Sequence, residues 1–135
     1  MKKCPYNCLT CPYVQEGTIV KATASNFTQE IESAVNCQTK NVIYCISCEK
    51  CLKQYIGETE RTLALRSNEH RGYVRNEKLD KATGEHFNLP GHNMSDIKIA
   101  VLEKVKSDDP MMRKVRESHF IQKFNTKHKG INRKT

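Results

Sequence analysis

Residues 42–57, VIYCISCEKCLKQYIG, contain the pattern from which the fold is best predicted. The segment 42–46 is rich in β-branched and aromatic residues, which favours a strand, and Tyr55-Ile56 favours a second strand after a short turn. Together they predict an antiparallel hairpin that is closed at Cys48 and Cys51. The rest of the chain is interpreted outward from this hairpin.

The register of the hairpin depends on where its turn is centred. With the centre between Glu49 and Lys50, the opposed pairs are Tyr44 with Tyr55, Ile43 with Ile56, and Cys48 with Cys51. Because residues of a strand alternate between its two faces, Tyr44 and Tyr55 are expected on the same face. A pair of tyrosines packed in the core and a pair of functional phenols both agree with this placement.

The Cys-x2-Cys turn of the hairpin has the spacing of a zinc-ligand pair. Its partners in the sequence are His86 and His92, which lie in the stretch His-Phe-Asn-Leu-Pro-Gly-His. Zinc takes four Cys or His ligands in tetrahedral geometry, so Cys48, Cys51, His86 and His92 form a candidate structural site. The alternative is a pair of buried free thiols and two surface histidines.

A second cysteine group precedes the hairpin. Cys4, Cys8, Cys11 and Cys37 could form another zinc site, and the alternative is a disordered Cys-rich tail that oxidises in air. A secreted disulfide protein is disfavoured because the total of seven cysteines is odd and the start of the chain lacks the apolar region of a signal peptide. We therefore expect an intracellular protein.

Composition narrows the classes of partner. The chain has 135 residues, of which 37% are hydrophobic, so its core is modest and a metal clip would help it. The net charge of +8 indicates a polyanionic partner, and most of it lies in residues 41–135. No apolar run approaches the roughly 18 residues that a membrane span needs, so no membrane partner is expected.

We divide the chain into a Cys-rich segment, residues 1–40, and a main domain, residues 41–135.

The segment after the hairpin predicts a helix from Glu60 to about Arg75, capped by Thr59. Arg66 and His70 are four residues apart and therefore share a helix face. A guanidinium and an imidazole are unusual on an inward face and ordinary at its wet edge. Both placements remain open from the sequence.

The last third of the chain predicts a strand and a helix. Alternating apolar residues from Ile97 to Val105 favour a strand, and Asp109-Pro110 favours the start of a helix that runs to about Phe124. Glu117 falls on the apolar stripe of that helix, where a carboxylate needs either a metal ion or a cation beside it. The candidate cations on the same helix are Arg113 and Arg116.

The tripeptides Val42-Ile43-Tyr44 and Tyr55-Ile56-Gly57, separated by ten residues, resemble the paired motifs of the GIY-YIG nuclease superfamily. Val42 stands where the name-giving glycine would be. The later residues that fit the resemblance, in order, are Arg66, His70, Glu117 and Asn132. The resemblance covers residues 41–133.

Within the superfamily, the chain resembles most closely the endonuclease domain of Penelope-like retrotransposons. The segments that carry this resemblance are CEKCLKQYIGET at 48–59 and EHFNLPGH at 85–92. The resemblance implies an α+β fold with a small three-stranded, mainly antiparallel sheet, flanked by helices and stapled by zinc, with the Cys-rich N-terminal segment as an appendage. It also implies a metal-dependent DNA endonuclease that nicks phosphodiester bonds for retrotransposition. The alternative is a non-catalytic, zinc-stapled nucleic-acid-binding module derived from such a nuclease.

The resemblance also assigns roles. The implied site residues are Tyr44, Tyr55, Arg66, His70, Glu117 and Asn132, with Gly57 letting the backbone approach the substrate. Glu117 would hold Mg²⁺ or Mn²⁺, Arg66 would stabilise negative charge, and Tyr44 would accept a proton from the attacking water or orient it. The implied partners are DNA and a reverse-transcriptase domain within a parent polyprotein, with no small-molecule cofactor and a nuclear location.

Overall fold

A computed structural model describes residues 1–133 of the chain. The strands are β1 (Ile19–Lys21), β2 (Thr28–Glu30), β3 (Lys40–Cys48), β4 (Gln54–Thr62) and β5 (Ile97–Lys104). The α-helices are α1 (Leu63–Arg75), α2 (Ala82–His86), α3 (Pro110–Phe124) and α4 (Thr126–Lys129). Short 3₁₀ turns at Cys11–Tyr13 and Met94–Asp96 complete the regular structure.

The centre of the fold is an antiparallel sheet in the order β4-β3-β5, and β1 and β2 form a separate two-stranded ribbon. Residues 42–46 of β3 are all buried, because β3 is the middle strand and both faces of the sheet are covered. The predicted α+β class with a three-stranded antiparallel sheet and flanking helices is confirmed.

The register of the β3–β4 hairpin differs from the prediction by two residues. Tyr44 lies opposite Gly57 rather than Tyr55, and Tyr55 lies opposite Ile46. The turn is longer than expected, because the Cys48 amide pairs with the Lys53 carbonyl rather than with Cys51. A shift of two residues keeps each side chain on its face, so the two phenols remain on the same side as diagonal neighbours.

The first long helix begins later than predicted. Residues that were expected to open the helix remain in β4, where Thr59 pairs with Val42 and Thr62 with Lys40. The helix begins at Leu63, and the Thr62 hydroxyl caps it by accepting a hydrogen bond from the Leu65 amide at 3.2 Å. Pairing with β3 therefore extends the strand past the cap that the sequence indicated at Thr59.

The helix and strand predicted in the last third of the chain agree with the structure. α3 begins at Pro110, and the Asp109 carboxylate caps it by accepting a hydrogen bond from the Met111 amide at 2.9 Å. β5 ends at Lys104, one residue before the predicted end.

Both edges of the central sheet are covered by segments from the chain ends. Val14 forms a parallel bridge with Ile99 of β5, and the Gln15 amide donates to the Ile99 carbonyl at 2.9 Å. At the other edge, the Ile131 amide donates to the Gln54 carbonyl at 2.8 Å. The Cys-rich N-terminal segment thus packs on the sheet, and its buried apolar residues join the same core.

Within residues 1–133, no helix combines the length and the apolar character that crossing a bilayer requires.

Candidate active site and metal centres

The hydroxyl of Tyr44 is the centre of a polar cluster between the sheet and α1. Tyr44 is fully buried, and its hydroxyl lies 2.7 Å from Nε2 of His70. Nε of Arg66 donates to the same hydroxyl at 3.2 Å. The helix thus brings a guanidinium and an imidazole to one phenol from two adjacent turns, as the spacing of Arg66 and His70 predicts.

Tyr55 lies at the open side of this cluster. Its ring centroid is 5.4 Å from that of His70 and 6.5 Å from that of Tyr44, and the side chain is half-buried. Tyr73, one turn beyond His70 on α1, contacts the imidazole edge-on at 5.7 Å. Three tyrosine rings therefore surround His70.

Arg66 is held in place by two further contacts. Its Nη1 donates to Glu69 at 3.0 Å and to the Tyr73 hydroxyl at 3.3 Å. Glu69 also pairs with Arg61 from the end of β4. Burial disfavours the charge of Arg66, but Tyr44 and Glu69 outweigh burial and raise its pKa, so the guanidinium stays charged.

Electrostatics keep both His70 and Tyr44 neutral. Burial, followed by the charge of Arg66, lowers the pKa of His70 to about 3. Burial and then Tyr55 raise the pKa of Tyr44, against the opposing effect of Arg66. At neutral pH the pair is thus a neutral imidazole that is hydrogen-bonded to a protonated phenol.

Glu117 of α3 is near enough to the same cluster for its charge to act on it. Its carboxylate is half-buried, and burial is the main cause that raises its pKa. Its negative charge in turn adds to the raised pKa of Tyr44 and Tyr55, and Arg66 acts on Glu117 with the opposite sign. The acid that the sequence placed far along the chain is therefore electrostatically coupled to the phenols.

The cations suggested for Glu117 by the sequence pair with other carboxylates. Arg113 binds Glu58 at 2.8 Å, and Arg116 binds Glu103 at 2.7 Å. Across residues 1–133 no ion pair or hydrogen bond reaches the Glu117 carboxylate. A half-buried oxygen donor without a protein partner fits a hard divalent cation such as Mg²⁺.

Asn132 holds the C-terminal segment against the edge of β4. Its Oδ1 accepts from the Ile56 amide at 2.8 Å, and its Nδ2 donates to the Ile56 carbonyl at 3.0 Å. The Asn132 side chain therefore replaces a neighbouring strand at the residue between Tyr55 and Gly57. Its contacts agree with a role in fixing geometry.

Gly57 has a different structural reason from the one that the resemblance implied. A Cβ at this position would overlap the ring and hydroxyl of Tyr44, which lies over the glycine from the opposing strand. The absence of a side chain at Gly57 therefore makes room for the phenol, and the approach of substrate to its backbone stays a prediction.

The model of the family described as GIY-YIG catalytic domain matches residues 40–132. This chain belongs to the GIY-YIG family. No curated protein and no solved structure matches it. Membership establishes a nuclease-type domain, for which DNA is the substrate class and metal dependence is general. The matched residues of this GIY-YIG domain contain the whole cluster around Tyr44, together with Glu117 and Asn132.

The GIY-YIG domain also contains the predicted Cys-Cys-His-His cluster. Cys48, Cys51, His86 and His92 bring their ligand atoms within 4.8 Å of one another. The Pro90 carbonyl can only accept, so Nδ1 of His92 donates to it at 3.2 Å, and in the neutral ring Nε2 is then the nitrogen with a free lone pair. That buried Nε2 has no hydrogen-bond partner in the described chain, as expected of an atom that binds zinc.

The second predicted cluster lies outside the central sheet and brings together Cys4, Cys8, Cys11 and Cys37. The sulfur of Cys11 is 3.6 Å from that of Cys4, 3.7 Å from that of Cys8 and 3.8 Å from that of Cys37. A disulfide needs about 2.05 Å. The edge of a zinc–thiolate tetrahedron is about 3.8 Å for a Zn–S bond of about 2.3 Å. The four thiols are therefore arranged as zinc ligands.

A buried cation beside this cluster supports the same conclusion. Arg71 of α1 is buried, donates to Ser67 at 2.6 Å and to Thr10 at 3.1 Å, and stacks on Tyr13. Within residues 1–133 no carboxylate pairs with it. Cys8 and Cys37 are among the groups that favour its charge against burial. A zinc ion with four thiolates carries a net charge of −2 and would compensate the guanidinium.

Cys45 belongs to neither cluster. It is buried in β3 opposite Ile56, and its sulfur lies 3.7 Å from the Ser47 hydroxyl. Burial raises the pKa of its thiol to about 12, so Cys45 is an unreactive core residue.

Sequence reasoning missed two functional candidates, Arg71 and Thr83. The Oγ1 of Thr83 lies 2.7 Å from Nδ1 of His70. Neither residue belongs to a motif with recognisable spacing, because each acts through a contact between elements. Arg71 is one basic residue among several on α1, and Thr83 is a single threonine before His86. Nothing in the sequence around either residue predicts a functional contact.

Proposed function

We propose that the chain is a metal-dependent endonuclease that nicks DNA by hydrolysing one phosphodiester bond. The observation that carries the proposal is the convergence of Arg66 and His70 on the Tyr44 hydroxyl. The charge of the unpaired Glu117 acts on the same phenol. Hydrolysis needs a group to receive the proton of water and positive charge to stabilise the pentavalent phosphate. These side chains supply both.

Glu117 would hold the divalent cation, Mg²⁺ or Mn²⁺. When bound, that cation supplies charge stabilisation to the phosphate and to the leaving oxygen. Burial is the main cause that raises the pKa of Glu117, because it disfavours the charged carboxylate. A bound cation would favour that charge. Lys114, which lowers the pKa of Glu117 through its charge, is held by Glu58 at 2.9 Å.

Arg66 controls access to Tyr44. The phenol is fully buried and accepts a hydrogen bond from this guanidinium, which is itself partly exposed. In the proposed reaction, Arg66 turns from Glu69 and Tyr73 to the scissile phosphate and uncovers the Tyr44 hydroxyl. Water then gives its proton to the Tyr44 oxygen, while the phenol proton moves to Nε2 of His70. Tyr55 lines the open side and orients the phosphate.

The two cysteine-containing clusters would each hold a structural Zn²⁺, which would contribute folding free energy rather than chemistry. The geometry of the thiols and the bare Nε2 of His92 support this assignment. The net charge of +8 supports binding to DNA through phosphate contacts.

We further propose that this activity serves a Penelope-like retroelement, with target-site cleavage in the nucleus and a reverse-transcriptase domain as partner. The support is the likeness of residues 48–59 and 85–92 to the corresponding segments of that branch. The main domain of the nuclease, in this proposal, is residues 41–135, preceded by the Cys-rich segment 1–40.

Nicking of supercoiled plasmid by the zinc-loaded chain in Mg²⁺ tests the proposal. Glu117→Gln keeps the shape of the side chain and should reduce nicking by about 100-fold, the usual size of a lost electrostatic contribution. Glu30→Gln, an exposed change on β2, is the matched control and should nick like the unmodified protein. Equal nicking by Glu117→Gln would refute the assigned role.

The absence of nicking by the unmodified chain would instead favour a non-catalytic nucleic-acid-binding module. A cooperative urea unfolding transition separates that outcome from a misfolded preparation. A folded module should still bind DNA, with affinity that falls steeply as salt rises.

A further inference from the structure

His70 is bound through both of its ring nitrogens. Nε2 is 2.7 Å from the Tyr44 hydroxyl, and Nδ1 is 2.7 Å from Oγ1 of Thr83. Thr83 is 1% exposed, so water does not compete for this contact. A neutral imidazole carries one proton, and therefore one of these nitrogens donates and the other accepts.

The hydrogen bonds of Tyr44 decide which nitrogen carries the proton. Arg66 can only donate, so the phenol accepts from it and must place its own proton elsewhere. Within residues 1–133, the acceptor in reach of that proton is Nε2 of His70. Nε2 is therefore unprotonated, and Nδ1–H of the neutral ring donates to Thr83.

We infer that Thr83 is a positioning residue of the nuclease site: its hydroxyl accepts the Nδ1 proton of His70 and thereby keeps Nε2 free to receive the proton of Tyr44. The inference rests on the proposed function for its catalytic meaning. Its structural content, the hydrogen bond and the position of the proton, can be measured without DNA.

The proton transfer that Thr83 supports is balanced. One O–H bond of water breaks as an O–H bond forms at Tyr44, and the original phenol O–H breaks as an N–H forms at Nε2 of His70. The water oxygen forms a P–O bond as the P–O bond to the leaving oxygen breaks, and that oxygen keeps the electron pair and takes a proton from solvent. His70 then holds a proton on both nitrogens, and Thr83 remains the acceptor for Nδ1. The entering phosphate supplies the negative charge that makes this imidazolium favourable.

Thr83 is held rigidly by the packing of α2. A Cβ at Gly84 would overlap the Lys78 carbonyl, so the short helix lies directly against the segment that follows α1. The Asn88 amide joins the two helices by donating to Val74 at 3.0 Å and to Gly84 at 2.7 Å. His86, a member of the Cys-Cys-His-His cluster, is the last residue of the same helix.

The test uses nitrogen-15 NMR of labelled histidine in the full, zinc-loaded chain, without DNA. In the unmodified protein, His70 should show a protonated Nδ1 and a bare Nε2. A His70 ring with a bare Nδ1 and a protonated Nε2 would overturn the inference before any variant is made.

Three variants then isolate the hydroxyl. Thr83→Val keeps the shape of the side chain and should change the His70 signature, with a loss of nicking of about tenfold, which corresponds to one hydrogen bond of ordinary net strength. Thr83→Ser should restore both. Gly84→Ala, which retains Thr83 but displaces α2, should reproduce the Thr83→Val signature. An unchanged His70 signature in folded Thr83→Val would overturn the inference.

The same experiment separates this inference from the nuclease proposal. If Thr83→Val changes the His70 signature and Thr83→Ser restores it, while no form nicks DNA, the hydrogen-bond assignment stands and the nuclease proposal fails. If the unmodified protein nicks DNA and Thr83→Val nicks equally well, the positioning role is refuted.

Discussion

The ring of Tyr44 lies directly over Gly57 of the opposing strand, so closely that a Cβ at residue 57 would overlap its hydroxyl. Gly57, the glycine of the second tripeptide motif, thus packs against the Tyr44 ring and helps to hold the phenol against His70 and Arg66. It follows that a side chain at residue 57 and an intact Tyr44 cluster exclude each other.

Gly57→Ala should displace Tyr44, lower stability by about 1–3 kcal/mol as overpacking of a core does, and abolish nicking. Urea unfolding and plasmid nicking measure the two effects. Gly72→Ala in α1 is the matched control, because nothing lies within 4 Å of its Cβ. That change should stabilise the chain by about 0.5–1 kcal/mol, as alanine in a helix does. Equal stability of the two variants would contradict this explanation.

Native mass spectrometry should find two zinc ions in the unmodified chain, one for each cluster. Cys51→Ser should leave one ion, and because Cys51 is exposed this loss reports the ligand rather than a disrupted core. Cys45→Ala is the control, since Cys45 is buried outside both clusters, and should retain two ions. Retention of two ions by Cys51→Ser would rule out the assigned ligand set.

Arg71→Met should weaken the Cys4–Cys8–Cys11–Cys37 site, because the tetrathiolate would lose its buried cation. We expect a stability loss of about 3–5 kcal/mol, the size typical of removing one partner of a buried charge pair. Urea unfolding at fixed free zinc measures it. Arg75→Met, an exposed change on the same helix, should be nearly neutral. If Arg71→Met matched Arg75→Met, charge compensation would not be the role of Arg71.

His70 should make the fold less stable below neutral pH. Its pKa is about 3 in the fold, caused first by burial, and about 6.5 in the unfolded chain, so between these values the unfolded chain binds more protons. The contribution is fully present above pH 6.5 and decreases as the pH falls. Between pH 7.5 and pH 5.5 this contribution to the free energy of unfolding falls by about 1.4 kcal/mol.

Denaturant unfolding of zinc-loaded protein at several pH values in that range gives the free energy of unfolding as a function of pH. The contribution of His70 is the difference between the slopes of this dependence for the unmodified chain and for His70→Gln. His128→Gln, an exposed change in α4, serves as the control and should keep the original slope. Identical slopes for all three proteins would show that His70 is not the buried neutral group.

Most of the fold could be predicted because its determinants are local. The β-branched run at 42–46, the alternation at 97–105 and the Asp109-Pro110 cap each specify their element without help from the rest of the chain. The hairpin register and the start of α1 at Leu63 could not be predicted in this way. Both depend on how far β4 pairs with β3, which is a property of the assembled sheet.

The site likewise has features that the local sequence predicts and others that only tertiary packing sets. Helix spacing predicted that Arg66 and His70 share a face, and the family resemblance added Tyr44 to them. Both candidate metal clusters have the members that the cysteine and histidine spacing indicated. The contacts of Arg71 and Thr83 had no counterpart in the spacing, because each joins α1 to an element from elsewhere in the chain.

The amino-acid sequence alone therefore determined the elements, the ligand sets and the chemical types that a nuclease-type site needs. The tertiary structure decided which groups are paired and which remain free. Arg113 and Arg116 bind other acids, and among the described residues Glu117 is left without an ion pair, close enough for its charge to act on the phenols. The reason is physical. The periodicity that predicts a helix or strand depends only on residues close together in the sequence. The partner of a charged side chain depends on burial and on distances between side chains, and both are set only when helices and strands pack.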